Sequence, residues 1–279
     1  MECLVCHNNK PRIVFVEFGV NIYKCKNCGQ MFSSYSADQY YNGYYGDDIS
    51  GQDNFWWDQA HQAMYNDFCK KYIIGKRGKL LDVGCGLGFF VKKVNNYPKW
   101  QVSGYEISKT AVAFATNKLK LANIFCGKIE EADFPKNYFD IITLWDVIEH
   151  IPQPDKMLNY ISSILKDDGF LFIHTPNANI QLFKAKLKKL IYGMKPKIHY
   201  LEAKDHINTY TAKSINMILS RHNFKPVEFI HLRPIQSVSG SKSRLNVFIK
   251  NSWFNFSRVF YRLSFKKINL DNLYVIAKK

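Results

Sequence analysis

Apolar and polar positions alternate in regular blocks from residue 79 onward. Short apolar runs predict buried strands at 79–83, 101–105, 123–126, 139–144 and 170–173. Helical periodicity fills the intervals, with helices from Phe89, over Lys109–Leu119 and over Pro154–Leu165, the last followed by the stop signal Asp168-Gly169. Because strands and helices alternate and the strands are mostly apolar, the pattern predicts a parallel sheet buried on both faces.

The remaining segments extend this plan. Helical periodicity also covers 55–74 and 211–222, and a short strand follows at 227–230. The apolar run at 273–277 predicts a closing strand, antiparallel and at or near an edge of the sheet. We therefore expect a doubly wound, Rossmann-like α/β domain with a mostly parallel seven-stranded sheet over 75–279.

A separate cysteine module precedes this domain. Two Cys-x-x-Cys motifs, Cys3 with Cys6 and Cys25 with Cys28, stand at a separation typical of four-thiolate zinc sites. The apolar stretches on either side of Gly19 predict a β-hairpin, so residues 1–35 form a zinc ribbon in this interpretation. Four ligands leave no open position, which indicates a structural Zn²⁺; a redox dithiol is the alternative. The other three cysteines are predicted to be small buried residues: Cys69, Cys85 and Cys126.

Composition and charge narrow the classes of partner. The chain has 279 residues, 47% of them hydrophobic, and a formal net charge of +16. The apolar content argues against global disorder, and the charge favours nucleic acid, anionic membrane or phosphorylated small molecules. No apolar run approaches the roughly 20 residues of a membrane span, and the N-terminus lacks a secretory signal, so we expect a cytoplasmic location.

The first strand runs into a glycine-rich turn, Gly84-Cys85-Gly86-Leu87-Gly88, where doubly wound sheets bind ligands. Glu106 ends the next strand and is placed to accept hydrogen bonds from both ribose hydroxyls. A dinucleotide site needs Gly-x-Gly-x-x-Gly, whose third glycine would stand at Phe89. The observed Gly-x-Gly-x-Gly spacing suits a nucleoside cofactor without a pyrophosphate, such as S-adenosylmethionine.

Residues 79–177 resemble the class I S-adenosylmethionine-dependent methyltransferases. The resemblance is carried by the matching stretches 80–90, 104–108, 139–151, 165–170 and 175–177. It implies a methyltransferase that uses S-adenosylmethionine, with Glu106 on the ribose and Trp145 covering the cofactor. It also implies contacts to the methionine part and the adenine from Asp82, Gly84, Cys85, Gly86, Gly88, Ile107, Ile129 and Glu130.

The zinc ribbon followed by the aromatic-rich linker and helix at 36–74 is similar to bacterial methyltransferases of polysaccharide and sugar pathways. That similarity implies a small-molecule, sugar, glycan or lipid-linked saccharide acceptor. An RNA methyltransferase and a catalytically silent zinc-ribbon scaffold are the alternatives. The basic and aromatic residues form no recognisable RNA-binding module, so nucleic acid is not favoured as a partner.

Three histidines lie near predicted carboxyl ends of strands: His150, His174 and His206. Histidine suits proton transfer near neutral pH, and His150 is the preferred general base because we expect it, just past strand four, to overhang the methyl-transfer site. Each histidine could instead pack or cap locally. Glu149 with His150 could also bind a divalent metal, as similar Glu-His pairs do in some methyltransferases.

Two basic segments, at about 178–205 and 234–270, are predicted to form a lid over the acceptor site. Residues 241–268 contain seven lysines or arginines, seven aromatic residues and no acids. Trp253, Phe256, Phe260 and Leu263 share one helical face there. This face could lie on an anionic membrane, the segment could grip a phosphate-bearing substrate, or the aromatic face could simply pack on the core.

Overall fold

The chain is described by a computed structural model that covers residues 2–35, 49, 55–235, 244–265 and 269–279. The predicted aromatic linker, apart from Ile49, lies outside these residues, and so does part of the second predicted lid segment.

The described elements are numbered in chain order. The strands are β1 Arg12–Glu17, β2 Val20–Lys24, β3 Met31–Ser33, β4 Gly78–Val83, β5 Trp100–Glu106, β6 Ile124–Cys126, β7 Phe139–Trp145, β8 Leu165–Thr175, β9 Asn208–Thr209, β10 Lys225–Phe229 and β11 Leu273–Lys278. The α-helices are α1 Gln62–Tyr72, α2 Phe89–Asn95, α3 Lys109–Asn117, α4 Asp155–Ile164, α5 Ala178–Tyr192, α6 Ala212–Arg221 and α7 Arg244–Leu263. A π-helical turn, Phe55–Ala60, precedes α1, and 3-10 turns occupy Ile129–Glu131 and Ile148–His150.

Within the described residues the main sheet has seven strands in the order β10-β11-β8-β7-β4-β5-β6. Strands β8, β7, β4, β5 and β6 pair in parallel, whereas β11 pairs antiparallel with both β8 and β10. The predicted Rossmann-like, mostly parallel sheet is thereby confirmed. The strand order reverses at β4, which pairs with β5 on one side and β7 on the other, so the turn after β4 opens into the crevice where such sheets bind ligands.

Side chains alternate between the two faces of the central strands and build two cores. Leu81 and Val83 pack on one face with Leu158 of α4 and Ile215 of α6, while Leu80 packs on the other face with α1 and α2. Each such fully buried aliphatic side chain contributes about 1.5–3 kcal/mol of transfer free energy. Both faces are therefore covered by helices, as the continuous apolar character of these strands predicts.

The predicted helix over Pro154–Leu165 is observed as α4, Asp155–Ile164, but the strand that follows is longer than predicted. Strand β8 begins at Leu165, which pairs with Phe139 of β7, whereas the predicted strand begins at Phe170. Leu165 is fully buried, whereas Asp167 and Asp168 are exposed in an irregularity of the strand pairing. Burial of Leu165 in the sheet therefore extends the strand back to the end of α4.

A smaller sheet has the order β1-β2-β3-β9 within the described residues. The predicted hairpin forms around Gly19, whose φ of +84° is readily adopted only by glycine. The fourth strand, β9, comes from a distant part of the chain and pairs Thr209 with Met31 and Asn208 with Phe32. The ribbon is consequently built into the larger domain.

Helix α7 is buried on a different face from the one that carries Trp253. Phe254, Ser257 and Tyr261 are buried, while Trp253 and Leu263 are exposed. The interpretation in which the Trp253 face packs on the core is therefore wrong. Of the helices described here, none has the length and hydrophobicity needed to span a membrane.

Candidate active site

The turn after β4 holds three glycines in the left-handed region of backbone conformation. Their φ angles are +68° at Gly84, +52° at Gly86 and +83° at Gly88. A Cβ on Gly84 would lie 2.5 Å from Cγ2 of Val147, so any larger residue would displace Val147. The turn therefore needs glycine both for its conformation and for its close contact with the segment after β7.

Glu106, at the end of β5, faces this turn directly. Its Oε2 accepts a hydrogen bond from the Gly86 N–H at 2.8 Å, and its Oε1 accepts one from the Ser108 N–H at 2.8 Å. Burial raises the pKa of Glu106, and the two backbone donors counteract that effect. Ser108 is also the N-cap of α3 and accepts from the Ala111 N–H, so the carboxylate is held between two rigid elements.

Asp82 is a second buried carboxyl group beside the turn. Its Oδ1 accepts a hydrogen bond from the Thr143 hydroxyl of β7 at 2.6 Å. Burial raises the pKa of Asp82 to about 8; the Thr143 hydrogen bond lowers it, and the nearby charge of Glu106 raises it further. Two acidic side chains thus lie next to one glycine turn.

This charge arrangement discriminates between the two cofactor classes. The Gly86 N–H already donates to Glu106, so it is not available to a pyrophosphate, which the Glu106 carboxylate would also repel. A cationic sulfonium or ammonium group would instead be attracted. The residues present therefore fit S-adenosylmethionine and not a dinucleotide.

The residues predicted to edge the adenine lie next to Glu106. The Gly127 N–H donates to the Glu106 carbonyl at 2.9 Å, which places the turn after β6 beside the end of β5. Beyond Gly127, Ile129 is buried and Glu130 is exposed, while Ile107 is half-buried next to Glu106 itself. The structure thus brings the predicted adenine-side and ribose-side residues to one rim of the sheet.

Two of the predicted cofactor contacts, Trp145 and Cys85, have buried side chains. Trp145 is buried, with its ring centroid 4.4 Å from that of Phe172 and 5.0 Å from that of Phe90. Cys85 is also buried, and its Sγ would lie 2.7 Å from a Cβ on Gly104. Their side chains form part of the aromatic and apolar core beneath the glycine turn.

Two of the three candidate histidines meet at the carboxyl end of β7. The ring centroids of His150 and His206 are 4.9 Å apart in a T-shaped contact, and Nδ1 of His150 lies 3.0 Å from the Asp205 carbonyl oxygen. Burial, and then the neighbouring His206, lowers the pKa of His150 to about 4. His150 is therefore neutral near pH 7 and stands next to Glu149, which is fully buried.

The third histidine, His174, has a different environment. Its ring is buried and stacks on Tyr274 with a centroid distance of 4.7 Å, and its Nδ1 lies 3.0 Å from Oδ1 of Asp146. Asp146 follows β7 with an unusual φ of +52° for a non-glycine residue. The sequence analysis did not single out Asp146, although an acidic residue directly after β7 at the switch point is a signal that could have found it.

The four cysteines of the ribbon converge on one point. The Sγ atoms of Cys3 and Cys28 are 3.5 Å apart, and those of Cys6 and Cys25 are 3.4 Å apart. Sulfur ligands of a tetrahedral Zn²⁺ lie about 3.8 Å from each other, whereas a disulfide bond is about 2.05 Å long. The cluster therefore fits zinc and contains no disulfide. Outside it, Cys69 and Cys85 are buried as predicted, but Cys126 is exposed, which corrects that part of the prediction.

The ribbon is anchored to α6 by hydrogen bonds to its cysteine turns. The Thr211 hydroxyl donates to the Cys28 carbonyl at 3.0 Å, and Nη1 of Arg221 donates to the carbonyls of Leu4 and Val5. Thr211 is also the N-cap of α6 and accepts from the Ser214 N–H. Sequence analysis gave no sign of these links because the partners lie far apart along the chain.

Comparison with known proteins adds independent information. A family described as a methyltransferase domain matches residues 55–228. A ubiquinone biosynthesis O-methyltransferase of Coxiella burnetii strain RSA 493 is 32% identical over 148 residues, which are 49% of this chain and 62% of that protein. The corresponding protein of Neisseria meningitidis serogroup C is 28% identical over 138 residues, 44% of this chain and 58% of that protein. The chain thus spans less than two thirds of the length of these relatives.

Solved structures share the fold at low sequence identity. A chain from the Haloferax volcanii complex of the Trm112 methyltransferase activator with a methyltransferase superposes with a TM-score of 0.57 and 10% identity, covering 81% of this chain and 92% of that chain. The PH0226 protein of Pyrococcus horikoshii OT3 superposes with a TM-score of 0.52 and 16% identity, covering 83% and 93%. These two likenesses establish the architecture alone.

Proposed function

We propose, from the premise that the chain belongs to the methyltransferase domain family, that this S-adenosylmethionine-dependent methyltransferase methylates a hydroxyl oxygen of a small-molecule acceptor. The cofactor supplies a methyl group already activated on a sulfonium. The protein's task is to position the two reactants, exclude water and assist removal of the acceptor's proton.

The observation that carries the proposal is the contact between the glycine turn and the histidine cluster. Val147 packs against Gly84, and the turn Ile148–His150 follows it directly. Consequently Glu149, His150 and His206 lie at the same rim as Glu106. In this arrangement Glu106 holds the ribose, Gly84 and Gly86 border the methionine part, and the histidine cluster faces the acceptor.

His150 is the group we assign to the acceptor's hydroxyl. In the reaction the acceptor O–H bond breaks, its oxygen forms a bond to the methyl carbon, and the carbon–sulfur electron pair returns to sulfur. A neutral imidazole can accept the released proton, but a pKa of about 4 makes it a weak base. His150→Ala is expected to lower turnover while leaving cofactor affinity nearly intact; unchanged turnover would remove His150 from the mechanism.

The O-methyl assignment draws on the names of the relatives in Coxiella and Neisseria. The ribbon and its linker predicted a sugar, glycan or lipid-linked saccharide acceptor. This acceptor stays a prediction and is more specific than the proposed reaction. A phosphate-bearing acceptor would suit the six lysines of residues 181–200.

A panel assay tests the reaction. The purified chain is first titrated with S-adenosylmethionine by calorimetry and then incubated with methyl-labelled cofactor and phenols, sugars, nucleotide sugars or RNA. Labelled methyl on an oxygen of a phenol or a sugar supports the proposal, and the sugar arm also supports the predicted acceptor. Labelled RNA, methyl on nitrogen or carbon, or failure to bind the cofactor would overturn it, the last in favour of a silent scaffold.

We also propose that Cys3, Cys6, Cys25 and Cys28 hold one structural Zn²⁺. Three of the four are buried, and their Sγ atoms meet in two pairs, Cys3 with Cys28 at 3.5 Å and Cys6 with Cys25 at 3.4 Å, as ligands of one ion would. Four protein ligands leave no position for substrate, so the role of the ion is to hold the ribbon together.

We also propose that α5 and α7 contact the surface of an anionic membrane. On α7 the exposed apolar side chains lie beside the exposed Arg258 and Arg262, and the helix contains no acidic residue. The exposed apolar set on the two helices is Phe183, Leu187, Leu190, Ile191, Phe248, Trp253, Phe256, Val259 and Leu263. Apolar side chains flanked by arginine match the boundary between lipid headgroups and acyl chains.

A further inference from the structure

Three buried polar atoms around helix α7 lack hydrogen-bond partners. They are Oγ of Ser257 on α7 itself, Nε2 of His231 shortly after β10, and Oδ2 of Asp271 shortly before β11. None of the three is paired within the described part of the chain, and Ser257 is completely buried. Because buried polar atoms in proteins are almost always paired, three such atoms indicate that another molecule binds there.

The loop before β11 approaches α7 on one side of Ser257. Trp253 lies one helical turn before Ser257, and its Nε1 donates a hydrogen bond to the Leu270 carbonyl at 3.2 Å. Asp271 directly follows Leu270, and its carbonyl accepts a hydrogen bond from Nδ2 of Asn177 at 3.1 Å. Oδ1 of Asp271 accepts from the N–H of the next residue at 2.8 Å. The loop is thus held in place, and Oδ2 of Asp271 remains for another partner.

His231 approaches α7 on the other side of Ser257. Tyr261 lies one turn after Ser257, and its ring centroid is 4.9 Å from that of His231. His231 and Asp271 are also close enough for their charges to interact. The hydroxyl, the imidazole and the carboxylate therefore border one common space next to the buried face of α7.

This space adjoins the end of β7, where the acceptor is proposed to react. Asn272 follows Asp271, and its Nδ2 lies 3.2 Å from Nε2 of His174 at the end of β8. Nδ1 of His174 lies 3.0 Å from Oδ1 of Asp146, which directly follows β7. The rim of the sheet thus continues from the glycine turn past β7 and β8 to the three unpaired atoms. An acceptor that extends along this rim would meet them with a part that is not methylated.

The three groups suit a neutral ligand that carries several hydroxyls. A carboxylate oxygen accepts hydrogen bonds, whereas a hydroxyl and a neutral imidazole can each accept or donate. The positive charge of Lys184 acts on Asp271, and those of Arg258 and Arg262 act on His231. These positive charges disfavour a cationic ligand, and the Asp271 carboxylate disfavours a phosphate. A sugar ring presents several uncharged hydroxyls in different directions and so meets these requirements.

We infer that Ser257, His231 and Asp271 form a subsite that binds hydroxyl groups of a sugar, in the part of the acceptor that is not methylated. The inference rests on the proposed function for its role in the reaction, but binding of the sugar does not depend on methyl transfer. The subsite would determine which acceptors bind. Its loss is therefore expected to raise KM and to leave kcat nearly unchanged.

The test uses the full chain loaded with Zn²⁺ and S-adenosylhomocysteine, the demethylated cofactor. The probes are the methyl glycosides of glucose, galactose, mannose and rhamnose, with catechol as the aromatic comparison. Saturation-transfer NMR measures their binding to the wild type, Ser257→Ala, Asp271→Asn and the control Ser252→Ala. Ser252 is an exposed serine of the same helix, so its substitution removes the same atom outside the subsite. Thermal unfolding monitors each fold, and Ser257→Ala keeps the test valid if Asp271→Asn fails to fold.

At least one glycoside is expected to bind the wild type and Ser252→Ala. Ser257→Ala and Asp271→Asn should bind it about fivefold more weakly, which is the loss expected for one hydrogen bond. Ser257→Ala should also be at least as stable as the wild type, because it removes a buried hydroxyl that is unpaired in the described part of the chain. Absence of glycoside binding by the wild type, binding of catechol alone, or equal glycoside binding by folded Ser257→Ala would overturn the subsite.

Two further measurements on the same samples separate this inference from the proposed function. They are calorimetry with S-adenosylmethionine and kinetics of methyl transfer to any acceptor that the panel assay identifies. Glycoside binding that Ser257→Ala weakens, in a chain that does not bind the cofactor, refutes only the proposed function. Methyl transfer to an acceptor oxygen with the same KM in the wild type and Ser257→Ala refutes the subsite alone.

Discussion

Asn208 donates a hydrogen bond from its side-chain Nδ2 to the carbonyl oxygen of Ile151 at 2.8 Å. Its Oδ1 accepts a second hydrogen bond from Nε2 of Gln30 in the ribbon at 3.3 Å. Ile151 directly follows His150, and Asn208 closely follows His206. One buried side chain therefore ties the cysteine ribbon to both histidines of the candidate acceptor site.

Asn208→Ala should destabilise the fold by about 1–3 kcal/mol, because it leaves the Ile151 carbonyl and the Gln30 amide without partners. We also expect lower turnover, since the two histidines lose their common support. Urea unfolding and a methyl-transfer assay measure the two effects. Asn179→Ala is the matched control, because the Asn179 side chain accepts an exposed hydrogen bond from Lys24 of the ribbon. Equal stability of both variants would contradict the bracing role.

Glu106→Gln should weaken S-adenosylmethionine binding roughly 10- to 100-fold, since hydrogen bonds to a charged group contribute about 1.5–3 kcal/mol each. The amide can accept from only one of Gly86 and Ser108 through its oxygen, so the turn is also loosened. Calorimetric titration gives the affinity directly. Glu131→Gln, an exposed acid of the same 3-10 turn that is not a predicted cofactor contact, should change it little, and an unaltered affinity in Glu106→Gln would remove Glu106 from the site.

Features encoded by local spacing could be predicted from the sequence. The cysteine pairs, the glycine turn and Glu106 each stand at a fixed offset from a strand. The structure brings the four cysteines together in the ribbon and, separately, brings Glu106 to the glycine turn. The meeting of His150 with His206 is a different case, because the two are distant in the chain and no periodicity links their positions. Asn208 gave no signal at all: a polar residue in so short a strand carries no pattern.

Helix α7 illustrates a further limit of sequence analysis. Its sequence contains apolar residues on more than one face, and only tertiary packing selects Phe254, Ser257 and Tyr261 as the buried side. Similarly, β8 begins at Leu165 and not at Phe170 as predicted, because Leu165 enters the sheet beside Phe139. In both cases competition between local preference and burial decides the outcome.

Cys25→Ser should remove the Zn²⁺ and lower the melting temperature, because metal binding and folding of such a module are coupled. The loss should extend into the larger domain, since Cys3, Cys25 and Cys28 are part of the same core as Tyr210 and Ile215. Zinc content by mass spectrometry and thermal unfolding measure both. Cys126→Ser, an exposed cysteine outside the cluster, is the control; full zinc retention in Cys25→Ser would contradict the four-thiolate assignment.

Stability should fall in acid through Asp155. Burial alone would raise the pKa of Asp155, but hydrogen bonds from Arg221 and His222 lower it below the ordinary value. The unfolded chain therefore binds this proton more tightly, so the stabilising contribution is present above about pH 4 and is lost as pH falls through the folded pKa. These contacts join α4 to α6, the helix that anchors the ribbon.

The measurement is urea unfolding of the wild type and Asp155→Asn at pH 6 and pH 3. The variant should be less stable than the wild type at pH 6, and the difference should shrink at pH 3. Asp167→Asn is the control, because the Asp167 side chain is 82% exposed and pairs with Lys279 at the surface. A difference between wild type and Asp155→Asn that does not change with pH would show that the carboxylate charge is not involved.

Membrane contact through α7 should depend on both charge and apolar side chains. The chain is expected to sediment with vesicles that contain anionic lipid and not with neutral vesicles. Raising the salt from 0.1 M to 1 M shortens the screening length from about 10 Å to about 3 Å and should release most of the bound protein.

Trp253→Ser combined with Phe256→Ser should reduce binding at low salt, because these exposed rings would insert between headgroups. Ile74→Ser, an equally exposed apolar residue after α1, should bind as the wild type does. Binding that survives the double substitution would leave only the general positive charge of the chain as its cause.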